Sequence, residues 1–141
     1  PVDIGIVAIL PDLVVNTRDA RRILPKSVSS DDFVFNVGSA SMMVVGIMRN
    51  DLMLIGESMR KRVIESVRAR LIPGYVDVRD SALQAGAPGV AISDAGPAII
   101  AVCALDKKEK VASAMIDAFA KNGIDSDVFM TTVGRGVEIL E

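Results

Sequence analysis

Thr17 and Arg21 stand four apart in the segment Thr17-Arg18-Asp19-Ala20-Arg21, so a helix there points a hydroxyl and a guanidinium the same way. The pair suits an amino-acid carboxylate, because arginine offers a planar set of N–H donors to two oxygens. A capping threonine beside a solvated arginine is the plainer reading of the same spacing. The most informative stretch is Gly89-Val90-Ala91-Ile92-Ser93-Asp94-Ala95-Gly96-Pro97-Ala98, in which a strand delivers small residues to a sharp turn and a second strand leaves at once. Small side chains let the backbone approach a ligand or another loop closely, and Gly96 permits a positive φ. A hairpin turn with no further role has the same composition.

Other chemistry is absent. The chain has no histidine, which removes the commonest general base, the histidine-containing triads and dyads, and every histidine-based metal site. Its single cysteine, Cys103, lies among Ile99, Ile100, Ala101, Val102 and Leu105 and reads as a buried core thiol; it fits a reducing cytoplasm. Asp3, Asp12, Asp125 and Asp127 have no metal-loop spacing, so no metal site and no catalytic base are predicted.

The elements that must position these residues follow from the patterning. The 141 residues suffice for one domain, half of them apolar, and a net charge of -2 gives no basic field for nucleic acid. Val2 to Leu10 reads as a strand buried on both faces; a chain that opens in such a strand, at Pro1 and not Met, reads as cut from something longer, and with no basic segment ahead of the apolar one this start is not expected to be a signal peptide. Asn16 or Thr17 can cap a short helix that Pro25 stops. Phe33 to Met48 is uncharged but shorter than the ~20 residues of a membrane span, so it is expected to be a buried helix ending near Arg49.

Leu52, Ile55, Met59 and Val63 recur at helical spacing, predicting one amphipathic helix from Asp51 to Val67 with Arg60, Lys61 and Arg62 toward water. Tyr75 to Ala85 reads as a helix closed by Gly86, and Lys107 to Lys121 as another. Strands are predicted at Val90 to Ser93, Ile99 to Leu105, Val128 to Val133 and Val137 to Leu140, and the seven methionines are expected to fill the core. The order implies an α+β sandwich, a mostly antiparallel sheet covered by helices.

Arg68-Ala69-Arg70-Leu71-Ile72-Pro73-Gly74, Ala85-Gly86-Ala87-Pro88-Gly89-Val90 and the turn Ser93 to Pro97 resemble the C-terminal half of the homoserine kinases. These belong to the superfamily of galactose, homoserine, mevalonate and phosphomevalonate kinases, which writes the turn as Ser-Gly-Ala-Gly-Pro. The likeness runs upstream to Thr17 through Arg21 with Leu24-Pro25 and downstream to the terminal strands, and so covers nearly the whole chain. The resemblance implies a ferredoxin-like C-terminal domain in a cytoplasmic enzyme that moves the ATP γ-phosphate, with magnesium, to the hydroxyl of L-homoserine in threonine biosynthesis. It places Thr17, Arg21 and Arg68 against the substrate, and Ser93, Asp94, Ala95 and Gly96 beneath the phosphate-binding loop.

That Gly/Ser-rich loop lies in the family's N-terminal half, and nothing in residues 1–141 matches it or a Walker loop. The chain is therefore expected to be a substrate-side domain, inactive alone, with ATP and magnesium held mainly by an absent N-terminal domain. Asp94 stands where the family has Gly, and Ala98 where it often has Ser. A carboxylate there repels triphosphate, so the turn is expected to buttress the phosphate loop instead of touching phosphate. The partners expected are L-homoserine, the N-terminal domain and a second copy in a homodimer, without nucleic acid or membrane. Another small-alcohol kinase of the superfamily and a non-catalytic, amino-acid-binding regulatory domain are the alternatives.

Overall fold

The β-branched run at the start of the chain forms β1 (Ile4–Pro11), which pairs antiparallel with β3 (Ile99–Ala104) on one side and β4 (Ser126–Thr132) on the other. β2 (Gly89–Ile92) pairs antiparallel with β3, giving the order β2-β3-β1-β4. The computed structural model describes residues 3–137 and 139. Val2, assigned above to the first strand, lies outside them, as do Glu138 and Leu140. Val137 and Ile139 of the expected last strand are fully or almost fully exposed and in no strand.

Between β1 and β2 run α1 (Thr17–Arg22), α2 (Ser30–Arg49), α3 (Leu52–Ser58), α4 (Ile64–Arg68) and α5 (Tyr75–Gln84), while α6 (Lys108–Lys121) joins β3 to β4. With α5 and α6 as the crossover helices this is a ferredoxin-like βαββαβ unit, its first crossover enlarged by α1 to α4. Caps set most of the helix starts. Asn16, Ser29 and Asp51 accept from the amides of Arg18, Asp32 and Leu54. Gly86 at φ 108° ends α5 as the sequence predicts.

One face of the sheet carries the main core. Val7, Ile9, Val90, Ile92, Ile99, Ala101 and Cys103 pack on Tyr75, Val78 and Ala82 of α5 and Val111, Met115 and Phe119 of α6. Cys103 is 0% exposed, and burial pushes its thiol pKa up, as a core thiol requires. On the other face, Ile4 and Val102 meet Ile55 and, partly buried, Met43, Leu52 and Met59. That layer is partial: Ile6 and Ala8 are half-buried and Leu10 and Phe129 exposed, so β1 is not buried on both faces along its length.

Three further expectations are corrected. The apolar α2 is not a buried helix, for it contacts the body along one side and leaves Phe33, Val34, Val37, Val44 and Met48 in water. Met42, Met48, Met53 and Met130 are likewise exposed, and Met115 alone of the seven methionines is fully buried. The helix expected over Asp51 to Val67 is broken after Ser58. The Ser58 hydroxyl donates to the Ile55 carbonyl at 2.6 Å, the acceptor that the Met59 amide would use in a continuing helix. The Met59 amide turns to Gly56 at 3.2 Å, and the chain tightens and leaves the axis.

α3 lies directly on the start of β2. A Cβ at Gly56 would come 2.4 Å from the Pro88 carbonyl carbon, and one at Gly89 2.5 Å from the Gly56 Cα. Gly56→Ala and Gly89→Ala are each expected to destabilise by ~1–3 kcal/mol through overpacking, seen as a lower urea midpoint. Gly134→Ala, where a Cβ meets nothing within 4 Å, should stay within ~0.5 kcal/mol of the parent. Unchanged midpoints for both close-packed glycines would show that helix and strand are not in contact.

Candidate functional site

The hairpin between β2 and β3 is closed by the Ser93 amide donating to the Ala98 carbonyl at 2.8 Å. Asp94 takes the left-handed conformation, φ 47°. Gly96 does not have a positive φ, which corrects the reading that gave that strain to glycine. Asp and Asn are the residues best able to replace Gly in that region, which is why the Asp94 departure leaves the turn intact. Ala95 is buried and the Asp94 side chain exposed. A Cβ at Gly96 would meet nothing within 4 Å, so this domain's own packing does not demand a glycine there.

Arg68, at the end of α4, reaches across to this turn. Its Nη1 donates to the backbone carbonyl of Asp94. Its Nε is buried with no acceptor among the described residues, leaving an N–H that a ligand oxygen could take. The guanidinium and the turn, expected from separate segments of sequence, are thus in direct contact. Thr17 and Arg21 sit on α1, both exposed, and neither side chain has a hydrogen-bond or ion-pair partner among the described residues. Asn16, not Thr17, caps that helix, which frees the threonine hydroxyl from the plainer role.

Two hollows flank the Arg60–Arg62 segment. One, of about 610 Å³, runs from Asn36 and Ser39 of α2 past Lys61 to Ser93 and Asp94 at the turn. The other, of about 690 Å³, holds Glu65, Tyr75 and Arg79. There the Tyr75 hydroxyl donates to Glu65 Oε1, and burial raises the Glu65 pKa above its ordinary 4.5 against the opposing charges of Lys61 and Arg79. Arg62 lies 4.0 Å over the Phe35 ring, fixing this segment to α2. Sequence reading missed the Glu65–Tyr75 pair and the polar lining from Asn36, Ser39 and Lys61. The only local signal was the chain's one tyrosine, just after Pro73-Gly74.

The exposed Asp94 carboxylate at the turn carries a charge that opposes a triphosphate. No grouping of acidic or thiol ligands among the described residues could hold a metal ion. No helix among the described residues is long and apolar enough to cross a membrane.

The class to which this α+β domain belongs follows from the family it matches. Residues 43–124 match the family described as GHMP kinases C terminal, and the chain belongs to that family. Its relatives narrow the class. The chain is 47% identical over 137 residues to a homoserine kinase of Haloarcula marismortui, covering 97% of this chain and 47% of that one. It is 49% identical to a homoserine kinase of Halorubrum lacusprofundi, covering 98% and 47%. The crystal structure of homoserine kinase from Cytophaga hutchinsonii superposes with a TM-score of 0.91 at 40% identity, over 94% of this chain and 42% of that chain. The chain thus spans a little under half the length of the relatives it matches.

The Glu65–Tyr75 contact generates a pH prediction. A carboxyl whose folded pKa is raised makes folding most favourable below its ordinary 4.5, and loses that contribution as pH climbs through the raised value. Glu65→Gln keeps an acceptor for Tyr75 and removes the charge, so its stability relative to wild type should improve as pH rises from about 4 to 7. Urea titrations at several pH values measure this, and a wild-type advantage growing with pH would contradict it.

Proposed function

We propose that this chain is the substrate-side domain of a homoserine kinase, which transfers the ATP γ-phosphate to the side-chain hydroxyl of L-homoserine. The observation that carries the reading is the identity to homoserine kinases along nearly the whole chain, supported by the contact of Arg68 with the signature turn. ATP and magnesium then rest mainly on the N-terminal half that these relatives possess, and the enzyme works in the cytoplasm in threonine biosynthesis. The relatives share one name, which weighs against another small-alcohol kinase and against a regulatory domain.

In this reading Thr17, Arg21 and Arg68 hold the homoserine carboxylate, and the turn Ser93 to Gly96 supports the phosphate loop across the domain boundary. Arg68 does two things at once, since one edge of its guanidinium is spent on the Asp94 carbonyl. Small size at Gly96 serves the approach of that loop, because nothing inside this domain needs it.

In the full-length enzyme Arg21→Ala should lower kcat/KM for homoserine about tenfold to a hundredfold, as expected for a lost charge-assisted hydrogen bond. KM for ATP and the melting temperature should hardly change. Arg68→Ala should lose as much activity and also lower the melting temperature, since the turn loses its anchor. The double variant should lose less than the product if both arginines bind one carboxylate. Arg60→Ala, whose ion pair among the described residues is with Glu57 at 3.3 Å on the surface, is the control; equal losses at Arg60 and Arg68 would indicate a general basic field.

Gly96→Ala separates the two roles of the turn. The melting temperature should stay within about 1 °C, a surface-like change, while kcat falls. An Ala variant with full activity would remove the turn from the phosphate-loop contact.

A further inference from the structure

β2 is an edge strand: in the order β2-β3-β1-β4 it has a strand partner on one side only among the described residues. Ser93 spends its amide on the Ala98 carbonyl, toward β3. Amides alternate in direction along a strand, so that of Ile92 points to the open edge. Ile92 is buried, and an amide on a buried residue needs an acceptor. α4 packs against this edge and supplies one. The Glu65 carboxylate draws on the amides of Ile92 and Lys61. Tyr75, the buried first residue of α5, donates its hydroxyl to the same carboxylate. Glu65 therefore ties α4 to the edge strand and to the main core together.

Arg68 follows one turn later on α4 and donates to the carbonyl of Asp94, two residues beyond Ile92. The two spacings match. Three residues of helix advance about 4.5 Å and two of extended chain about 6.6 Å, a difference that the longer reach of an arginine covers. A glutamate and an arginine three apart on a helix ordinarily attract each other. These two form no ion pair among the described residues, and Glu65 faces neutral donors instead. Arg79, whose charge also reaches Glu65, is paired with Asp80 at 2.8 Å. The Arg68 Nη1 is thus fixed while its Nε has no acceptor among the described residues. A glutamate paired with Arg68 would occupy the N–H groups that a substrate carboxylate needs.

We infer that Glu65 is a positioning residue for substrate binding: by accepting from the Ile92 amide and the Tyr75 hydroxyl it fixes α4 against β2, so that Arg68 meets the homoserine carboxylate held in place and unneutralised. The inference rests on the homoserine kinase reading. Glu65 has no contact with substrate in it, and its whole effect passes through Arg68. Order imposed before the substrate arrives does not have to be created on binding. An interaction that serves bound substrate and transition state alike alters KM and leaves kcat.

In the full-length enzyme Glu65→Ala should raise KM for homoserine about tenfold and leave kcat and KM for ATP within about twofold. Added to Arg68→Ala, it should lower kcat/KM by less than about twofold further, because the residue it acts through is already gone. Glu65→Gln keeps one carbonyl acceptor and the bulk of the side chain, and Tyr75→Phe removes one donor, so each should raise that KM by a smaller factor, about threefold. Val78→Ala, in the core of α5, controls for plain destabilisation: it should lower Tm and leave KM for homoserine unchanged. Hydrogen exchange gives a readout apart from activity. In Glu65→Ala the Ile92 amide should exchange about tenfold faster or more, while the Ser93 amide, bonded to Ala98, keeps its rate.

A wild-type enzyme that does not phosphorylate homoserine overturns the kinase reading and this inference with it. Arg68→Ala with normal homoserine kinetics removes the substrate arginine and has the same effect on the inference. A damaged Arg68→Ala beside a normal Glu65→Ala overturns the inference alone. So do losses that multiply in the double variant, a rise in KM for Val78→Ala equal to that for Glu65→Ala, or an Ile92 amide whose exchange is unchanged.

Discussion

Backbone rests on backbone where α3 crosses the start of β2, and much of the second sheet face depends on that contact. With no side chain at Gly56 or Gly89, the helix lies closer than any other residue pair would allow. α2 is then fixed through Gly46 and Met43, and the segment that follows α3 is directed toward α4 and Arg68. From there the arginine reaches Asp94. The geometry of the turn is thus set from a distance, by two glycines that take no part in any chemistry.

Sequence pattern carried the sheet and the longer helices, because their signals are local. The caps at Asn16 and Ser29, the glycine after α5 and the apolar strands each act within a few residues. The failures came where a competing interaction or an absent surface decided the outcome. Ser58 took a carbonyl that the helix needed, which no periodicity reveals. The apolar run of α2 was read as buried because hydrophobicity reports a preference for burial without saying in which molecule it is met.

The site was legible in a different way. Arg68 and the Ser93 to Gly96 turn were identified separately by resemblance, but their contact depends on the path of α4 and is not written in either segment. The transfer of positive φ from glycine to Asp94 was half visible, since the residue type allowed it and the spacing did not require it. Glu65 and Tyr75 are ten residues apart with a break, a 3₁₀ turn and a proline between them, so no helical register relates them.

The position of β1 in the sheet also has a temporal meaning. Its partners arrive late: Ile9 pairs with Ile99 and Gly5 with Thr132, so both edges of a central strand wait for segments synthesised much later. At ordinary translation rates the delay is on the order of ten seconds. Throughout it an apolar segment without neighbours is in the same compartment as its copies on other ribosomes. Until β4 has emerged, the edges of β1 are therefore open to pairing with another chain, however stable the helices are.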